Sequence, residues 1–228
     1  MAEKMRCKIV TFNEVYEMVE KVSNDVKNSG YKTTTIVGLA RGAWIPARLM
    51  CDFMGITDLI SLKVEHWLQT GKTKDEATIR YPLTANLKGK RLLVIDDITD
   101  TGKSLITSTE YLRAFDPEAI RVATMQYIPQ SKFKPDYFAD EVKVWTWFIY
   151  PWNWIEDTST LIIRLMEAET EKPWSLHDIG EGLKTYFEID WDKTMLKQIV
   201  DIMVEREQVG ATEAEKAYKL EKKGVIEL

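Results

Sequence analysis

Cysteine and histidine are almost missing: Cys7, Cys51, His66 and His177 are all that the 228 residues hold. Two thiols cannot supply the disulfide framework of a small secreted domain. With two imidazoles added, the spacing still lacks the paired pattern of a zinc site. A reducing cytoplasm suits such a chain. Long apolar runs are lacking too. Nothing approaches the ~20 residues of a membrane helix, and residues 1–10 have no extended apolar core of the signal-peptide kind, so a membrane partner is not expected. An excess of positive charge is also absent. With 31 Lys and Arg against 36 Asp and Glu the net charge is −5, which argues against a nucleic-acid partner held by bulk electrostatics. There is no internal repeat and no low-complexity segment.

What remains is the composition of a globular protein, 45% hydrophobic and 29% charged, long enough for one α/β domain with an appendage. Its charge is uneven. Residues 155–228 hold 10 Lys or Arg against 17 Asp or Glu, a charge of −7, which leaves +2 on residues 1–154. That shift places an expected boundary near residue 155, with one domain over 1–154 and a second over 155–228.

Thr11-Phe12-Asn13-Glu14 has the pattern of a capping box opening a helix with Val15, Met18, Val19, Val22 and Val26 on one face and a stop at Gly30. Thr33–Val37 is a short β-branched strand ending at Gly38, and Ile45–Met54 a helix with Pro46 in its first turn. Leu59–Glu65 is a further strand. The polar stretch His66–Tyr81 is expected as a long loop or a β-ribbon able to fold over a ligand. Strand Leu92–Ile95, helix Ser104–Phe115 and strand Ile120–Tyr127 follow. Such alternation predicts a mostly parallel sheet flanked by helices, with ligands at the carboxyl ends of the strands. The last third breaks the pattern. Helical spacing over Thr158–Ala168, from Ser175 onward, over Asp192–Glu207 (Met195, Ile199, Ile202 and Met203 inward) and over Ala211–Lys222 predicts a small helical bundle.

The densest chemistry is Arg91-Leu92-Leu93-Val94-Ile95-Asp96-Asp97-Ile98-Thr99-Asp100-Thr101-Gly102-Lys103-Ser104. An aliphatic strand runs into two adjacent carboxylates, and then a tight polar loop opens a helix. Backbone N–H groups and the helix dipole at such a place hold a phosphate, while paired acids suit sugar hydroxyls and a divalent cation. Gly102-Lys103-Ser104 looks like the end of a P-loop, but that motif requires glycine where Asp97 stands, and a carboxylate there would point into the phosphate cradle. The segment resembles the phosphoribosyl pyrophosphate (PRPP) motif of the type I phosphoribosyltransferases. Gly38-Leu39-Ala40-Arg41-Gly42 resembles the pyrophosphate loop of the same family, with Gly42-Ala43 where its commoner form has two glycines. Lys134-Pro135-Asp136-Tyr137 and Trp145-Thr146-Trp147-Phe148-Ile149-Tyr150-Pro151-Trp152 resemble the base-recognition segments of its purine members, within residues 128–154.

The resemblance covers roughly residues 10–154, and some archaeal purine enzymes are similar in carrying a helical C-terminal extension. It implies a type I phosphoribosyltransferase fold and Mg²⁺-dependent transfer of ribose 5-phosphate from PRPP to N-9 of a purine base, in a homodimer. Asp96 and Asp97 are then the ribose and metal residues. Thr99, Asp100, Thr101, Gly102, Lys103 and Ser104 bind the 5′-phosphate, and Asp100 is also the general base toward N-7. Ala40, Arg41 and Gly42 bind pyrophosphate, with a cis peptide at Ala40–Arg41. Lys134, Trp147 and Phe148 bind the base, Trp147 by stacking. Ile149 stands where some relatives carry an acidic metal ligand. Lys134 is a donor suited to a 6-oxo group, which favours hypoxanthine or guanine; adenine is the alternative. A different class, a regulator that senses PRPP or nucleotides without catalysis, stays open on this fold, although a DNA-reading appendage should be basic and this one is acidic.

Overall fold

The computed structural model describes residues 2–69, 72–212 and 217–220. In chain order the elements are β1 (Cys7–Ile9), α1 (Phe12–Asn28), β2 (Thr35–Ala40), α2 (Trp44–Met54), β3 (Leu59–Gln69), β4 (Lys72–Ile79), β5 (Arg91–Thr99), α3 (Lys103–Arg113), β6 (Ala119–Tyr127), β7 (Tyr137–Glu141), β8 (Trp147–Ile149), α4 (Trp154–Glu167), β9 (Trp174–Ser175), α5 (Leu176–Phe187), α6 (Lys193–Glu205), β10 (Val209–Thr212) and β11 (Ala217–Leu220). Contacts divide the chain into two units, Thr11–Trp145 on one side and Met1–Val10 with Thr146–Leu228 on the other.

The unit Thr11–Trp145 is built on a six-stranded sheet of order β4-β3-β2-β5-β6-β7. All its neighbours are parallel except the β3–β4 pair. Parallel strands covered on both faces need continuous apolar runs, and Leu92, Leu93, Val94 and Ile95 of β5 are buried without alternation. Helix α1 opens on the expected capping box, Thr11 with Glu14, and buries Val15, Met18, Val19, Val22 and Val26. Each such side chain contributes about 1.5–3 kcal/mol on leaving water. At Gly38 an added Cβ would lie 2.9 Å from the Ala47 Cβ, so glycine is what lets α2 lie close on β2. The stretch expected as a loop or ribbon is a ribbon. β3 and β4 pair antiparallel, with register shifts between Glu65 and Trp67 and between Trp67 and Gln69. Residues 70–71 of that stretch lie outside the described residues.

The strand order makes a switch point between β2 and β5. Their pairing stops at Gly38↔Ile95, whereas β5 stays paired to β6 through Asp96↔Thr124 to Thr99↔Tyr127. The two chains part there, and the crevice this opens is where open α/β sheets hold ligands.

In the second unit β1 pairs in parallel with β8. Helices α4, α5 and α6 close a core of Leu161, Ile162, Leu165, Ile179, Leu183, Phe187, Ile199, Val200 and Met203, to which Cys7 and Ile149 belong. The division therefore differs from the boundary expected after residue 154. The first ten residues and 146–154 join the C-terminal unit, because β1 and β8 are a strand pair whose apolar side packs on its helices. The charge step at 155 could not reveal a strand pairing across 140 positions. The unit is also not purely helical. Ala211–Lys222, expected as a fourth helix, holds β10 and β11 in its described part, and these form a three-stranded antiparallel sheet of order β10-β11-β9; residues 213–216 and 221–228 lie outside the described residues. Its Ala, Glu and Lys content favours a helix, but cross-strand pairing with Trp174 and Ser175 overrides that weak preference. In α6 the fully buried positions are Leu196, Ile199, Val200 and Met203. Met195 and Ile202 lie at the flank of that face instead of its centre.

Candidate active site

Two loops leave the sheet at the switch point. After β2 the chain turns through Ala40-Arg41-Gly42-Ala43 into α2, with a cis peptide at Ala40–Arg41, the position the resemblance implied. After β5 it turns through Asp100-Thr101-Gly102 into α3. Gly102 is the N-cap in the left-handed region, φ 78°, a conformation that glycine adopts without steric cost. The two loops are tailored to one another. An added Cβ at Gly42 would fall 2.1 Å from Asp97 Oδ2, so the second acid of β5 lies directly against the glycine of the β2 loop.

The helix starts here differ from those elsewhere. Helices α1 and α5 are closed by capping boxes with an acid in the first turn, and the side chain of Asp192 caps α6. Helices α2 and α3 have neither a side-chain cap from the N-cap residue nor an acid in the first turn; α4 also lacks a side-chain cap but carries Glu156 and Asp157 there, and at the start of α3 the Thr101 hydroxyl accepts from the Lys103 N–H at 3.4 Å. A helix start left so is fit to receive an anion from outside the chain.

Asp96 and Asp97 are half-buried side by side. The Asp97 N–H donates to Asp96 Oδ1 at 3.0 Å, and the Ile98 N–H to Asp97 Oδ1 at 2.8 Å. Desolvation, and then the adjacent Asp97 carboxylate, push Asp96 well above the usual carboxylate range. Two acids so placed favour a ligand that brings hydroxyl donors or positive charge. Among the described residues no group of three or more His, Cys, Asp or Glu converges. Asp96 and Asp97 would offer a divalent cation carboxylate oxygens, the donor type Mg²⁺ takes beside a phosphorylated substrate. Asp100 is also raised, by burial, against which a side-chain hydrogen bond from Trp145 acts in the lowering direction. No local pattern in the sequence announces that bond, because its two residues lie far apart in the chain.

The segment after β6 packs on the same loop. Ile128 N–H donates to Thr99 O at 2.9 Å and Lys132 N–H to Thr101 O at 3.3 Å. Gly102 is hemmed in by Ser131 Oγ and Phe133 Cβ, each 2.6 Å from where a Cβ would be. Lys134 follows, exposed, with its Nζ 6.0 Å from the Phe138 ring centroid. The unit Thr11–Trp145 thus brings together Ala40, Arg41, Gly42, Asp96, Asp97, Thr99, Asp100, Thr101, Gly102, Lys103, Ser104 and Lys134. Trp147 and Phe148 belong to the other unit, on β8, where they pair with Cys7 and Lys8 of β1. Ile149, at the position of an acid in some relatives, is fully buried in that unit's core.

At its switch point the parallel sheet carries an acid pair, a glycine-arginine loop and the start of α3, an arrangement that suits a phosphorylated ligand. The family model of the phosphoribosyl transferase domain matches residues 10–156, and the chain belongs to that family. It is 29% identical to a xanthine-guanine phosphoribosyltransferase of Gluconobacter oxydans over 137 residues, 60% of this chain and 76% of the relative. With a xanthine-guanine phosphoribosyltransferase of a Ruegeria species it shares 28% identity over 123 residues, 52% of this chain and 67% of the relative. Among solved structures it is similar to a purine phosphoribosyltransferase from Pyrococcus horikoshii, with a TM-score of 0.57 at 28% identity, covering 65% of this chain and 95% of that one.

Proposed function

We propose that this protein transfers ribose 5-phosphate from PRPP to N-9 of a purine base, hypoxanthine or guanine ahead of adenine, to give the nucleoside monophosphate and pyrophosphate. The observation that carries this reading is the acid pair of β5 set against the Arg41-Gly42 loop at the switch point. One crevice then offers hydroxyl acceptors, a loop cation and a helix start. The purine phosphoribosyltransferases among its relatives support the acceptor class.

Breaking the bond at the anomeric carbon builds positive charge on the ribose and negative charge on the leaving pyrophosphate. Asp96 and Asp97 accept the ribose hydroxyls and hold the sugar beside its developing charge. Thr99, Asp100, Thr101, Gly102, Lys103 and Ser104 bind the 5′-phosphate at the start of α3, with Lys103 adding a full charge. Ala40, Arg41 and Gly42 hold the pyrophosphate as it departs. Asp100 accepts the purine proton at N-7 as the bond to N-9 forms, which its ionised form does when within hydrogen-bond reach. Lys134 donates to the 6-oxo oxygen of the base, while stacking by Trp147 and backbone contacts from Phe148 are carried over from the family resemblance alone. Asp96 and Asp97 would hold Mg²⁺, which when bound would neutralise part of the pyrophosphate charge. The β3–β4 ribbon closes over the reactants and excludes water. Cys7 and Cys51 are both free thiols and buried, which suits a reducing cytoplasm; the homodimer is carried over from the family resemblance alone.

The test is a comparison of initial rates with hypoxanthine, guanine, xanthine and adenine at fixed PRPP and Mg²⁺. The expected result is fastest nucleotide formation with hypoxanthine or guanine. Adenine as the sole good acceptor would show that Lys134 does not read the 6-position, and no transfer to any purine would overturn the reading.

A further inference from the structure

We propose that Trp145 is a positioning residue for Asp100, its indole N–H holding the carboxylate in the orientation from which it takes the purine proton. The proposal rests on the phosphoribosyl-transfer reading above. Its first support is the sheet register. Thr99 of β5 pairs with Tyr127 of β6, and Tyr127 with Glu141 of β7, so the three strands end in line. Asp100 is the first residue past that line on β5. Trp145 lies in the segment after β7, four residues past Glu141. The Val142 N–H donates to Tyr127 O at 2.8 Å and the Val142 side chain is buried, which ties the segment carrying Trp145 to the same end of the sheet.

The second support is the side chain itself. Trp145 is 45% exposed and its neighbour Val144 is 58% exposed. An indole in the core would contribute far more apolar burial than this one does. Its side chain hydrogen-bonds the Asp100 carboxylate. An ionised carboxylate has about four acceptor sites, so taking one hydrogen bond from Trp145 leaves it able to accept from a purine N–H while its rotation is fixed.

The electrostatics agree in sign. Burial alone favours the protonated acid, which cannot act as a base, and the Trp145 donor opposes that drift. Charged groups on the neighbouring elements are Lys103 on α3, Lys132 and Lys134 after β6, and Glu141 and Lys143 around the end of β7; the Asp100 shift is set by burial and by Trp145.

The experiment compares Trp145→Phe, Asp100→Asn and the double variant in the full chain. The expected result for Trp145→Phe is a fall in kcat of roughly tenfold with an unchanged KM for PRPP. The acid limb of the kcat/KM–pH profile should move to higher pH, because removing a donor to the carboxylate raises its pKa. In the Asp100→Asn background the Trp145→Phe change should add nothing further. An unmoved acid limb, or a loss that persists undiminished once Asp100 is replaced, overturns the proposal. The two readings separate cleanly. If Asp100→Asn is slow and Trp145→Phe is normal, only the positioning role falls, whereas near-normal turnover of Asp100→Asn removes the general base itself.

Discussion

At the scale of single residues, the site is shaped as much by what its glycines exclude as by its charged groups. Gly102 has a positive φ, and a Cβ there would meet Phe133 Cβ at 2.6 Å and the Phe133 backbone nitrogen at 2.8 Å. The second contact is with backbone, which cannot swing aside as the end of a flexible side chain does. Gly102→Ala should therefore displace either the start of α3 or the 131–134 segment, costing stability by about 1–3 kcal/mol and weakening PRPP binding by at least tenfold. Thermal unfolding with and without PRPP measures both, and a variant that keeps its PRPP-induced shift would show that this loop does not bind the phosphate. Gly42 is constrained differently. Its space is taken by the carboxylate of Asp97, so the acid pair and the β2 loop are a matched set. The sequence displayed both motifs 55 positions apart, but the contact between them is a tertiary fact.

At the scale of elements, the helix starts differ in how they are capped. Helix α5 is a structural one. Ser175 accepts from the Asp178 N–H, and Asp178 accepts from the Ser175 backbone. The Ser175 hydroxyl first, and its backbone N–H second, hold Asp178 below its ordinary value of 3.8. A carboxylate lowered in the folded state stabilises the fold at pH values above its unfolded pKa, and that contribution fades as pH falls toward the folded pKa. Ser175→Ala should cost about 1 kcal/mol at neutral pH, and the gap between variant and parent should narrow as pH is taken below the ordinary carboxylate range. Denaturant titrations at pH 7 and pH 3 give the comparison; a gap that is constant with pH would mean the Asp178 charge takes no part. The capping box at Ser175 was legible from its spacing, as was that at Thr11, because capping is a local event. The β10–β11 pair was not, since its partners are found only once the chain has folded back.

At the scale of the whole molecule, the division of the chain decides how it can be cut. Deletion after Asp157 would keep β1 and β8 but remove most of α4 and all of α5 and α6, leaving Cys7 and Ile149 without the core they complete. Such a fragment should aggregate. Residues 11–145 carry the six-stranded sheet and both loops of the switch point. They should fold cooperatively and bind PRPP within about tenfold of the parent affinity. Calorimetric titration with PRPP checks the expectation, and a fragment that folds without binding PRPP would show that the switch-point loops are not sufficient for it.

By itself the sequence determined the parallel α/β class, the helices of the sheet unit with their caps, the acid pair with the loop that opens α3, and the family to which they point. All of these depend on near-neighbour spacing along the chain: apolar runs, caps, and a strand passing into a loop and a helix. Tertiary structure alone decided that the first ten residues belong with the last third, that Asp97 fills the space at Gly42, that Trp145 reaches Asp100, and that a second small sheet replaces the expected fourth helix. Each of these is a pairing between segments distant in sequence, and its energy comes from burial and hydrogen bonds that exist only after the chain has closed on itself.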